Sequence, residues 1–428
     1  MKSTFQTIEG TNDLLPGAQR ALVRTEVWRY VERVIHEVMH RHGFSEIRTP
    51  VLEPTGLVAR AIGQLSDIVS KEMFTFERGD TSYVLRPELT APIMRSYLQH
   101  HLDQQPGVQR LYYIGACFRA ERPQKGRYRQ FHQFGAEIIG TEDPRADADI
   151  IAVMMEVYQA LELLGTKLII NTLGSAETRP KYREALVDYL EPHRENLTKV
   201  SRERLSRNPL RILDTKVEAE RKILEQAPCL HDYLDEKSQV NYEALKRLLE
   251  SIGITYVEDP MLVRGLDYYT RTAFELEHDG IGAQSALAGG GRYDLLAPAI
   301  GAKKPVPAVG FAAGIERLIL AMEGSELSLP EADSFDVWMI ALGDAAGEKA
   351  FTFVQALRRA GVRAGLELTS RSMKAQMRLA NRANASWVVI LAEEEMKTEK
   401  ATVKNMVTGE QTAVQFSRLI QNLTGKLK

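Results

Sequence analysis

The apolar positions divide the chain into segments of different character. From Ala18 to His42 the residues Val23, Val27, Val31, Val34, Val38 and Met39 recur at helical spacing, and Gly43 stops the run. Phe44–Glu53 then reads as a strand with Pro50 near its end. Residues 74–80 and 82–86 form a hairpin around Gly79-Asp80, and a helix follows from Ala91 to His101. Leu111–Cys117 is an apolar, aromatic strand. The strand after it places Phe131, Gln133, Gly135 and Glu137 on one face and His132, Phe134, Ala136 and Ile138 on the other. Asp143-Pro144 supplies a cap and a first-turn proline for a helix to Leu164, and Leu168–Leu173 is a short strand closed by Gly174.

Residues 175–258 have short apolar runs and mostly helical periodicity, the mark of an inserted helical domain. Strands return at Tyr256–Glu258, Met261–His278 and Ser285–Ala288, with Gly265 interrupting the second of them. The run Gly289-Gly290-Gly291 reads as a loop, although it would also let a flat or anionic ligand approach the backbone. Val309 and Phe311 are strand-like, and Gly314–Met322 is helical. After a polar linker come strands Phe335–Ala341 and Ser386–Ala392, helices Ala345–Ala360 and Ser372–Asn384, a strand pair Thr398–Asn405 and Gln411–Phe416, and a last helix. The expected division is a first core part (1–174), the insertion (175–258), a second core part (259–324), the linker (325–334) and an α/β domain (335–428).

The chain has 428 residues and a net charge of −2, so a basic surface can only be local. Cys117 and Cys229 stand far apart without metal spacing, which fits a reducing cytoplasm with no disulfide framework. No run reaches 18 apolar residues, and the N-terminus lacks a signal-like apolar stretch, so no membrane contact is expected.

Local charge is where candidate chemistry lies. The loop Ala120–Arg129 holds Arg122, Lys125, Arg127 and Arg129. Such cations repel one another and call for an anion, unless they form a solvated hairpin tip. Glu88 and Thr90 precede a helix, where such groups cap it or hold an ammonium group. Arg317 opposes the dipole of the helix it begins, so an anionic ligand would explain it. Arg371, Lys374, Arg378 and Arg382 are spaced to share one helical face, and the insertion carries Lys199, Arg202, Arg204, Arg207, Arg211 and Lys216. Each set is either a solvated surface or a contact for RNA phosphates. There is no Walker loop and no Rossmann glycine fingerprint, so nucleotide binding needs another device. The residues alone support an α/β nucleotide- and RNA-binding enzyme.

The stretch "FRAERPQKGRYRQFHQFGAE", residues 118–137, resembles the second signature of class II aminoacyl-tRNA synthetases, in the form found in histidyl-tRNA synthetases. "FSEIRTPVLEP" is similar to the first signature, which forms the dimer interface, and "PAVGFAAGIERLILAMEG" to the third. "LVRGLDYYTRTAFE" and "AGGGRYD" resemble the two histidine-specific signatures. The resemblance implies an α+β/α/β multidomain protein: a class II antiparallel-sheet catalytic core with a helical insertion that contacts the tRNA acceptor arm, plus a C-terminal α/β anticodon-binding domain. It implies a homodimer that uses L-histidine, ATP with Mg²⁺, and tRNA(His). Arg119 and Arg264 would be catalytic at the α-phosphate, with Arg119, Arg127 and Arg317 on the ATP phosphates. Glu88, Leu89 and Thr90 would hold the amino group, at a place where the family often has Gly instead of Leu89. Gln133 would support the substrate backbone, and Glu137, Tyr268 and Tyr269 would line the imidazole pocket. Gln124 would read the acceptor end, and Arg371, Lys374, Arg378 and Arg382 the anticodon arm. The alternative is a non-catalytic regulatory subunit of ATP phosphoribosyltransferase, which resembles the same core but typically lacks the C-terminal domain.

Overall fold

The structure is a computed structural model that describes residues 5–63, 68–175, 177–264, 268–281, 285–369 and 371–427. The chain separates into two compact units, Met1–Pro330 and Glu331–Lys428.

The first unit is built on an eight-stranded sheet. Six strands are antiparallel, in the spatial order Gln109–Phe118, Gln130–Ile139, Ala308–Gly314, Ala286–Arg292, Thr270–Glu277 and Lys167–Thr172. Two-residue strands, Ser45–Glu46 and Val257–Glu258, add parallel edges at either side. Alternation along each strand gives the sheet two apolar faces. On one, Phe134, Ala136, Phe274 and Phe311 pack with Val31 and Ile35 of helix Thr25–Arg41, Met154 of helix Pro144–Ala160 and Leu318 of helix Ile315–Gly324. On the other, Tyr113, Cys117 and Ala273 pack with Ile93, Met94 and Tyr97 of helix Thr90–Gln99. The second face is where the candidate polar groups collect.

The helical insertion has its own small core, in which Tyr182, Leu186, Leu205, Ile212 and Leu224 meet. Helix Glu236–Ser251 behaves differently and buries Tyr242, Leu245 and Leu249 in the main core. The second unit is a five-stranded sheet in the order Ala364–Leu366, Val337–Ala341, Trp387–Leu391, Lys400–Asn405 and Gln411–Gln415. Helices Asp344–Arg359 and Leu419–Lys426 pack with one apolar cluster. Helix Met373–Arg382 contributes Met373, Met377 and Ala380 to a separate one.

Several expected elements differ in extent. Phe44–Glu53 is not one strand: only Ser45–Glu46 and Leu52–Pro54 pair, in two different sheets. Between them the carbonyls of Thr49 and Pro50 turn to the buried Arg86 guanidinium, which also takes Ala116 O. Met261–His278 is a strand only from Thr270 to Glu277, and Gly265 and Asp267 lie outside the described residues. The glycine run is not a loop but the middle of strand Ala286–Arg292. A Cβ at Gly290 would overlap the Phe274 ring and Gly310 O, so the strands can pair here only through glycine.

A buried ion pair ties this strand to the second helix of the core. Arg292, 2% exposed, donates to the equally buried Asp147 at 2.7–3.0 Å and to the carbonyls of Thr141 and Asp143. Removing one partner strands the other charge away from water, which typically costs about 3–5 kcal/mol. Asp147→Ala is therefore expected to lower stability by about 3 kcal/mol, read as a fall in the urea midpoint of the first unit.

Candidate active site

A cavity of about 350 Å³ opens on the second sheet face. Arg119, Glu121, Arg127 and Gln133 come from the central hairpin, and Glu88 and Thr90 from the start of helix Thr90–Gln99. Arg264, Tyr268, Tyr269 and Glu275 come from the segment beside the glycine strand, and Glu316 and Arg317 from helix Ile315–Gly324. Residues separated by some 230 positions thus meet in one place on the central sheet.

Two of the arginines, Arg119 and Arg317, donate to backbone oxygens. Arg119 donates from Nε to Pro87 O at 3.1 Å and lies over the Phe131 ring at 5.1 Å. Arg317 donates to Gly126 O at 3.0 Å and Ala286 O at 2.8 Å. Burial, then Arg127 and Arg119, weaken the hold of Arg317 on its proton, so the charges are crowded against one another. Two acids enter the same space: Glu121 pairs with Arg127 at 3.1 Å, and Glu275 with Arg264 at 2.6 Å. Arg264 also stands over the Tyr269 ring at 5.8 Å and fills the space where Gly289 lacks a Cβ.

Glu88 proves to be a helix cap as well as a cavity wall. Its carboxylate accepts Thr90 N–H at 2.6 Å and Ala91 N–H at 3.0 Å. Burial raises its proton affinity, and those two N–H groups and Arg119 oppose the rise. Leu89 is 2% exposed and packs in the apolar cluster below. Thr90 turns its hydroxyl to Glu137, at 2.9 Å. Glu137 itself is fully buried, one layer behind the cavity lining. Its other oxygen accepts from Tyr293 Oη at 2.5 Å. Burial pushes its carboxyl up to about 8.

The geometry adds residues that the sequence did not single out. Tyr293, the tyrosine of "AGGGRYD", bonds Glu137 and meets Tyr268 edge-on at 5.8 Å. Glu316 accepts the His132 backbone N–H and Nδ1 at 2.9 Å, tying the third signature to the second. Cys117, its thiol pushed up to about 12 by burial, lies 3.4 Å from the Gln133 amide oxygen. For Tyr293, His132 and Glu316 a place in a quoted motif was the available signal, and Cys117 stands immediately before one; their partners follow only from strand register.

A second cavity of about 620 Å³ adjoins the first across Arg211, Arg264 and Tyr269. The insertion supplies Arg179, Arg183, Arg207 and Arg211 to its wall, against Glu184 and Asp188. Gln124 is exposed at the tip of the central hairpin, where it and Arg127 exchange backbone hydrogen bonds. In the second unit Lys374, Arg378 and Arg382 are exposed along helix Met373–Arg382, whose other side buries Gln376 and Ala380. Arg371 precedes that helix and pairs with Glu367 at 3.5 Å, so the expected four-cation helical face holds three.

Residues 10–318 match the family model described as histidyl-tRNA synthetase. The chain belongs to the histidyl-tRNA synthetase family. Residues 336–426 match the model of an anticodon-binding domain. The histidine–tRNA ligase of Chloroherpeton thalassium is 47% identical over 412 residues, 95% of each chain. That of Halothermothrix orenii is 44% identical over 415 residues, 97% of each chain. The apo crystal structure of Staphylococcus aureus histidyl-tRNA synthetase superposes with a TM-score of 0.82 at 37% identity, covering 98% of this chain and all of that one. A Bacillus halodurans structure described as an ATP phosphoribosyltransferase regulatory subunit/histidyl-tRNA synthetase shares the fold, with a TM-score of 0.64 at 23% identity over 91% of this chain and 99% of that one. As a histidyl-tRNA synthetase family member the chain is an aminoacyl-tRNA ligase, with a class II core and a separate anticodon-binding domain.

The buried Glu137 makes a pH prediction. Its pKa in the folded chain, about 8, lies above the ordinary carboxylate value of 4.5. Between those values the folded state holds more protons than the unfolded one, so this group makes stability fall as pH rises. Glu137→Gln is expected to flatten that decline between pH 5 and 8, measured as the difference between urea midpoints at the two pH values. An unchanged slope would mean that Glu137 does not carry it.

Proposed function

We propose that the chain is a histidine–tRNA ligase whose reaction centre is the cavity where Arg119, Arg127, Arg264 and Arg317 converge on Glu88 and Thr90. That convergence is the observation that carries the reading. These four guanidinium groups, with Arg211 also at the cavity wall, suit a polyphosphate, and each can clamp phosphate oxygens. The acids beside them suit an ammonium group.

In the first step a carboxylate oxygen of histidine attacks the α-phosphorus of ATP. The bond to the β-phosphate breaks, pyrophosphate leaves, and histidyl-adenylate forms. Arg119 holds the α-phosphate and the attacking carboxylate, and Arg264 stabilises charge developing at the same phosphate. Arg127 and Arg317 hold the β- and γ-phosphates. Positioning and fixed charge supply most of the acceleration in such displacements. Arg119 and Arg317 need little reorganisation, because Pro87 O, Gly126 O and Ala286 O already aim them. Glu121 and Glu275 are the hard oxygen donors that fit Mg²⁺ brought in with the nucleotide. The ion would neutralise charge on the phosphates.

Glu88 and Thr90 take the amino group, with the backbone at Leu89 beside them, and Gln133 supports the substrate backbone. Tyr268, with Tyr269 beside it, faces the imidazole, and Glu137 supplies acceptor capacity behind Thr90. A site built on such hydrogen bonds rejects analogues that leave its own groups unpaired. In the second step a hydroxyl at the tRNA 3′ end attacks the acyl carbon and AMP leaves. We place the approach of that end along the arginine-rich second cavity, with Gln124 reading the acceptor end. Arg371, Lys374, Arg378 and Arg382 contact the anticodon arm. A two-fold homodimer through the first signature, where Val51 and Leu52 are exposed, and a cytoplasmic location complete the reading.

The direct test is amino-acid-dependent ATP–pyrophosphate exchange with a panel of amino acids. Histidine alone should support it. Exchange with no amino acid, from folded protein, would overturn the ligase reading and favour a regulatory one. Arg264→Ala should abolish exchange with a modest change in ATP affinity, and wild-type turnover would remove its role. Arg183→Glu should leave exchange intact and slow transfer to tRNA by roughly tenfold or more; equal transfer rates would refute the proposed approach.

A further inference from the structure

The segment before the first helix has no part in the reaction as described, yet it touches the phosphate-facing hairpin. Gly10 O accepts two backbone N–H groups, from Arg129 at 2.8 Å and from Gln130 at 3.3 Å. The neighbouring Glu9 O accepts Arg129 Nη1 at 3.2 Å. Arg129 in turn offers its own carbonyl to Arg119 N–H at 2.9 Å. Two hydrogen bonds therefore separate Gly10 from the backbone of Arg119.

Gly10 is also the only type of residue that fits this position. Its φ is +85°, a region that side-chain-bearing residues rarely enter. A Cβ there would stand 2.8 Å from Pro123 Cγ and 3.0 Å from Arg129 Cγ. The segment is fixed on its other side too. Leu15 exchanges backbone hydrogen bonds with Val23 and Thr25, and Gly17 N–H donates to Glu26. The hairpin loop is held from its opposite stem by Ala120 N–H on Glu72 O at 2.7 Å. The loop that carries Arg127 is thus braced at both stems from outside the hairpin.

We propose that residues 8–11 are a positioning strap for the phosphate-binding loop, with Gly10 as its point of contact. The strap touches no substrate. It acts through Arg129 on the backbone of Arg119 and on the angle at which the Ala120–Arg129 loop presents Arg127 to the β- and γ-phosphates. This rests on the reading of Arg119 and Arg127 as ATP-binding groups.

Gly10→Ala, made in the full chain, tests it by three measurements. Hydrogen exchange should speed up at the Arg129 and Gln130 amides. The KM for ATP in pyrophosphate exchange should rise about tenfold, within the roughly hundredfold that a misplacement of about 1 Å can cost. The KM for histidine should rise clearly less, since Glu88, Thr90 and Tyr268 line its subsite from other elements and only Arg119 and Gln133 belong to the hairpin. Pro123→Ala in the same background should recover part of the loss, because it removes the nearest overlapping atom. Faster exchange with an unchanged KM for ATP would overturn the proposal, as would an equal rise of both KM values, which a general loss of structure would produce. Arg127→Ala run in parallel separates the two readings. If it too leaves the KM for ATP unchanged, the site assignment fails; if it raises that KM while Gly10→Ala does not, the strap fails.

Discussion

A carboxylate buried with no cation bonded to it, among the described residues, governs the geometry of this site. Glu137 is fully buried in the middle of the central sheet. Leaving such a group without partners is costly, so its surroundings are shaped to satisfy it. Thr90 and Tyr293 each give it a hydroxyl, which ties the start of one helix and the end of the glycine strand to the same point. The strand opposite must carry glycine, because a Cβ at Gly310 would overlap the Glu137 carboxylate. One acidic residue thus fixes a helix terminus, a strand composition and a tyrosine position. It also keeps a proton near neutrality, which makes it a donor as well as an acceptor.

The cations follow the opposite logic. Burial, then the neighbouring Arg127 and Arg119, disfavour the charged form of Arg317. Carbonyl oxygens orient Arg119 and Arg317 but bring no full negative charge. Glu121 and Glu275 offset part of the excess. A triphosphate would offset the rest, so binding energy is concentrated where the reacting phosphorus sits. The crowded charges are held from three places: Arg119 and Arg127 from the central hairpin, Arg264 from the segment beside the glycine strand, and Arg317 from helix Ile315–Gly324.

The parts of this arrangement that were readable in the sequence are those written in local periodicity. The alternation in Gln130–Ile139 assigned Gln133 and Glu137 to one face and Phe134 and Ala136 to the other, as the two apolar clusters require. Asp143-Pro144 announced a helix whose cap is Asp143 accepting Arg145 N–H. What was not readable depends on register across distant strands. Three glycines look like a turn when only neighbours in sequence are considered. They are a strand because Phe274, Arg264 and Gly310 O occupy the space their side chains would need. Tyr293 and Glu275 lie within motifs whose family resemblance was plain, but their partners Glu137 and Arg264 are set by the pairing of Ala286–Arg292 with its two neighbours. Arg371 shows the reverse error: spacing alone placed it on a helix that starts two residues later.

Glu88 shows why a capping reading and a ligand reading need not compete. A carboxylate has about four acceptor positions. Two are taken by the Thr90 and Ala91 N–H groups at the helix start. Those bonds favour the ionised form against the burial that opposes it, as does the nearby Arg119. The same side chain lines the cavity. The cap therefore favours the ionised form at 4% exposure, against a burial that raises the proton affinity of the group, and an ionised carboxylate is what an ammonium group needs. The helix terminus supplies the electrostatic setting, and the ligand contact uses the capacity left over.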